Sequence, residues 1–95
     1  MAEGLQIRGV VGHIKWSYYV AAALHGYTVQ RHKESGGWSL RGTVVTSDAF
    51  KLRQRPLEFV APHEKGEWRW VIESHVIQQG TISAILSLPK EPHHP

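Results

Sequence analysis

From Glu67 to Leu88 hydrophobic and polar residues alternate. Trp68, Trp70 and Ile72 interleave with Glu67, Arg69 and Glu73, and beyond Gln78-Gln79-Gly80 the apolar residues Ile82, Ala84, Leu86 and Leu88 take every second position. A period of two sends successive side chains to opposite faces of a strand, one buried and one wet. Two such runs joined by a short Gly-containing link predict a β-hairpin. Two indoles on one strand face bring a large apolar area to a short chain. This hairpin is the expected template of the core.

A second hairpin is predicted where Tyr27–Lys33 and Trp38–Thr46 flank Glu34-Ser35-Gly36-Gly37. Tyr27, Val29 and Arg31 share one face of the first strand, and Trp38, Leu40, Gly42 and Val44 share one face of the second. Leu5–Ile14 lacks helical spacing and reads as a strand, bent or bulged at Gly9 and Gly12. Lys15-Trp16-Ser17 reads as a break.

Tyr18–His25 admits two readings. Three alanines between Ser17 and Gly26 fit a short capped helix. The flanking aromatic and β-branched residues fit a strand that continues into Tyr27-Thr28-Val29-Gln30, and the strand is preferred because so short a helix is marginal by itself. Ser47-Asp48 ends the second hairpin and can cap a helical turn. If Ala49–Arg55 is extended instead, Phe50 and Leu52 form an apolar face and Lys51, Arg53 and Arg55 a basic stripe, ended by Pro56. Residues 61–66 are a loop by composition. The segment 89–95, with three prolines, reads as a flexible tail.

These segments predict a mostly-β fold. It is a small single-domain barrel or sandwich of five or six antiparallel strands over residues 1–88, with one short helix from either Tyr18–His25 or Ser47–Gln54.

Composition narrows the class. Ninety-five residues suffice for one modest core. No apolar run nears the roughly 18 residues of a membrane span, so no membrane association is expected. The start Met1-Ala2-Glu3-Gly4 does not resemble a secretory signal. Cysteine is absent, which excludes disulfides and thiolate metal sites and fits a cytoplasmic location. The net charge is +3. It is concentrated between Tyr27 and Arg55, where Arg31, Lys33, Arg41, Lys51, Arg53 and Arg55 face only Glu34 and Asp48. Such asymmetry points to an anionic partner, against the plainer reading of a solvated charged surface.

Catalytic patterns find no footing. The seven histidines include no zinc-type pairing and no H-E-x-x-H. No serine lies in a G-x-S-x-G elbow. Ser74 and His75 are strand neighbours and point apart. Glu67 and Glu73 would lie about 20 Å apart on one strand, too far to act as a glycosidase pair. Gly36-Gly37 sits in a hairpin, not between a strand and a helix, so it is no phosphate loop. The chain is therefore read as a non-enzymatic binding module without metal or cofactor.

Two partner classes remain. The first is single-stranded nucleic acid, with the six basic residues tracking phosphates and Trp16, Tyr18 and Tyr19 stacking on bases. The competing reading puts these aromatics in the core, since a small domain needs large apolar side chains inside. The second is a protein partner or another copy of the chain, held through strand edges or aromatic anchors.

Overall fold

The alternating runs become the walls of a closed barrel. A computed structural model describes residues 4–89 and contains β1 (Gln6–Trp16), β2 (Tyr19–Arg31), β3 (Trp38–Ser47), α1 (Ala49–Leu52), β4 (Glu58–His63), β5 (Gly66–Gln78) and β6 (Thr81–Leu86). All strand pairs are antiparallel, and the order round the barrel is β1-β2-β3-β6-β5-β4. A short ladder, His13↔Val60 to Lys15↔Glu58, joins β4 back to β1. The first three strands run round in chain order, and from β3 the chain reaches β4 on the far side of β2 and β1, with α1 packed on β2. The β3–α1–β4 connection makes that crossing at one end of the barrel. The β1–β2 and β5–β6 turns lie at the same end.

Both predicted hairpins form, and Tyr18–His25 is extended rather than helical, with Tyr18 in the β1–β2 turn and Tyr19–His25 in β2. Tertiary pairing on both sides, to β1 and β3, supplies the strand with more than its alanines could gain from helix propensity. The short helix comes from the other candidate, within Ser47–Gln54. Other expectations change. The break at Lys15-Trp16-Ser17 shrinks to a tight turn, because β1 runs on to Trp16. The loop over 61–66 is mostly strand, since Pro62 and His63 still pair with Glu67 and Gly66. Lys51, Arg53 and Arg55 do not form a strand stripe, because Asp48 caps a helical turn there. Of the segment 89–95, residues 90–95 lie outside the described residues.

The interior is filled from the inward rows of the strands. Ile14, Leu24, Val29, Leu40, Phe59, Trp70 and Ile82 are fully buried. An aromatic column crosses the barrel: Trp38 lies 6.0 Å from Trp70, Trp70 lies 5.8 Å from Phe59, and Phe59 meets Tyr27 edge-on at 5.0 Å. Stacked, tilted and edge-on pairs at these spacings add to the gain from burial alone.

The column explains the glycines of β1. A Cβ on Gly12 would sit 2.7 Å from the Phe59 ring, and one on Gly9 would run into the Tyr27 phenol. These glycines make room for rings. They do not bulge the strand, whose register to β2 shifts only between Ile14 and Lys15. Among the described residues no helix is long and apolar enough to cross a membrane.

Candidate nucleic-acid interface

At the α1 end of the barrel the chain leaves aromatic rings uncovered. Trp16 and Tyr19 are register partners at the base of a two-residue turn made by Ser17 and Tyr18. Ser17 has φ 55°, a left-handed conformation that costs a side-chain-bearing residue energy and that glycine would adopt freely. Held on this turn, Tyr18 is 91% exposed, Tyr19 55% and Phe50 60%. The Trp16 indole is half-buried. Its ring centre lies 5.7 Å from that of Tyr19 and 6.2 Å from that of Phe50, which it meets edge-on.

The basic residues arrive on α1 and the segment after it. The Asp48 carboxylate accepts from the Lys51 backbone N–H at 3.1 Å and pairs with Lys51 Nζ at 3.0 Å. The backbone N–H bond and then the ammonium hold the Asp48 carboxyl below the usual range. The Asp48 amide in turn donates to the Ala21 carbonyl, which ties the start of α1 to β2. Leu52 is the buried anchor of the turn. With Leu52 fixed, Phe50 and Arg53 fall on the wet side, and Lys51 Nζ sits 5.7 Å from the centre of the Tyr19 ring.

Arg55 is folded back. Its guanidinium donates to the Leu52 carbonyl at 3.2 Å and to the Gln54 carbonyl at 2.7 Å. Arg53 is exposed, and among the described residues its side chain has no partner.

The nine residues singled out in the sequence thus separate. Trp16, Tyr18, Tyr19, Lys51, Arg53 and Arg55 converge at this end. Arg31 and Lys33 lie at the opposite end, where the β2–β3 loop closes. Arg41 stands on the outer wall in the middle of β3. The core reading of the aromatics holds for Tyr27, Trp38 and Trp70, and fails for Tyr18 and Tyr19, while Trp16 packs half-buried against the core. Phe50 was missed as a surface residue. Its signal was the Asp48 cap: a helical turn that buries Leu52 turns Phe50 outward.

Comparison of the chain with protein-family models, curated proteins and solved structures gives no match. The function must therefore be argued from this surface itself.

Proposed function

We propose that the barrel is a non-enzymatic binding module that takes single-stranded nucleic acid on its α1 end. The carrying observation is the Tyr18 ring, almost wholly in water at the tip of a strained turn, beside Tyr19 and Phe50 and flanked by Lys51 and Arg53. Strain and uncovered aromatic area both cost stability, and both recur where a surface meets a ligand. Unpaired bases stack on exposed rings with little sequence preference. Lysine and arginine beside the rings draw in the phosphate backbone and release its counterions. Duplex bases are already stacked and would leave Tyr18 without a partner.

Titration with a short mixed-sequence single-stranded oligonucleotide tests this reading, following tryptophan fluorescence, to which Trp16 contributes from within the site. Quenching should saturate at low salt and weaken steeply as salt rises. Tyr18→Ala should weaken binding by about 1–3 kcal/mol, the worth of one stacked base. Lys51→Gln with Arg53→Gln should flatten the salt dependence by about 0.7 per lost phosphate contact. Arg55 stays in place in this test because its guanidinium holds carbonyls of the chain. An affinity indifferent to these changes, or no quenching at low salt, would refute the proposal.

A further inference from the structure

One wall of the barrel, formed by β2, β3, β6 and β5, is built differently from the rest. In register across four strands lie Thr28, Arg41, Ser83 and Val76, and beside them Gln30, Ser39, Ile85 and Ser74. The block of strand that carries them, residues 28–30, 39–43, 81–85 and 74–78, contains no aspartate or glutamate, and Arg41 is its one lysine or arginine. Two cations elsewhere on the barrel are held by carboxylates. Arg69 is held by Glu58 at 2.8 Å and by Glu67 at 2.9 Å, and Lys51 by Asp48. Arg41 is exposed, and among the described residues its guanidinium has neither an ion pair nor a hydrogen bond. The nearest acidic residue along these strands, Glu73 at the bulge of β5, does not reach it.

Arg41 borders a shallow hollow of about 510 Å³, lined also by Ser39, Ser74, Ser83, Val76 and Ile85. Val76 is 51% exposed and Ile85 58%. The wall therefore offers one unneutralised planar cation, hydroxyl groups, and two apolar side chains within one block of the sheet.

We infer that this wall docks a protein partner that presents a single carboxylate side chain between apolar residues. Three features select that occupant. The hollow is open to solvent, whereas small-molecule sites enclose most of their ligand, so a macromolecule must supply the missing walls. One guanidinium matches one carboxylate in bidentate geometry, whereas a nucleic-acid strand repeats its charge and calls for several cations along its path. Val76 and Ile85 have counterparts in apolar side chains, not in a phosphate backbone. Arginine is also a frequent centre of binding energy in protein interfaces. The inference is independent of the nucleic-acid reading, which uses the α1 end and not Arg41.

The probe is the extended peptide acetyl-Val-Thr-Glu-Thr-Val-amide, titrated into isotope-labelled protein and followed by NMR. Saturating shifts are expected at the Arg41 side-chain Nε–H and at the Ser83 and Ile85 amides. The same peptide with Gln for Glu should bind about tenfold more weakly, and Arg41→Gln should cost about tenfold with the Glu peptide, the worth of a hydrogen bond to a charged group. Arg41→Glu should restore binding to the peptide carrying Lys. Arg41 is exposed, so an unchanged melting temperature will show that the variants fold. Tyr18→Ala should leave peptide binding intact, which separates failure here from failure at the α1 end. Equal binding of the Glu and Gln peptides, shifts confined to other faces, or no shifts at millimolar peptide would overturn the inference. So would shifts at Arg41 caused by the oligonucleotide instead of the peptide.

Discussion

At the residue scale, three buried nitrogens stand out. Among the described residues the indole Nε1 atoms of Trp38 and Trp70 and Nδ1 of His75 have no hydrogen-bond partner. An unpaired buried donor or acceptor costs about 1–3 kcal/mol, so the aromatic column stabilises by less than its area suggests. His75 occupies an inward row of β5, opposite Ala84. Burial first, and then the positive charge of Arg55, push its pKa below the ordinary histidine value. The folded protein therefore prefers neutral His75. Below about pH 6.5 the unfolded chain takes up a proton at this position that the folded chain refuses, so stability falls with pH until the lowered folded value is passed. His75→Gln should flatten the decline of melting temperature between neutral and mildly acid pH relative to the parent protein. Parallel profiles would mean that His75 does not set the acid sensitivity.

At the scale of elements, α1 decides the binding surface. Four residues cannot sustain a helix by themselves. Three ties hold this one: the Asp48 cap, the Asp48 amide on Ala21, and Leu52 in the core. The cap also positions Lys51 over Tyr19. Asp48→Ala should leave the barrel folded, speed hydrogen exchange at the Lys51 amide, and weaken oligonucleotide binding by displacing Phe50 and Lys51. Unaltered exchange at Lys51 would show that Leu52 alone holds the turn. The β1–β2 turn is the second deciding element. Its two residues bring Trp16 and Tyr19 into register and leave Tyr18 no wall to lie against.

At the scale of the whole molecule, the barrel sorts its large side chains into two populations. Trp70 is fully buried and touches Trp38, Phe59 and Trp68. Trp70→Ala should cost about 3–5 kcal/mol in urea unfolding, the usual penalty for emptying an aromatic site in a core. Tyr18→Ala should cost less than about 0.5 kcal/mol, as expected for a surface position. A small loss at Trp70 would move the core elsewhere, and a large one at Tyr18 would make that ring structural. Closure matters here as well. Only the three residue pairs from His13 to Lys15 join β1 to β4, yet they complete the ring that buries Phe59 and Ile14.

The sequence by itself determined the mostly-β class, both hairpins and the inner rows of the Trp strand and of β3, because a period of two is a local property that any pleated strand must express. It also determined that Lys51, Arg53 and Arg55 lie together, since they are chain neighbours. For Tyr18–His25 the sequence favoured a strand over a helix, and the tertiary structure made Tyr19–His25 one, because two neighbouring strands outweigh the propensity of three alanines. Only the tertiary structure decided that Gly9 and Gly12 admit rings, because Tyr27 and Phe59 come from distant parts of the chain. Likewise, closure into a barrel carried Trp16, Tyr18 and Tyr19 to α1 and sent Arg31, Lys33 and Arg41 to other faces. Charge and aromatic content can be counted along a chain, but which of those groups share a surface depends on which strands pair.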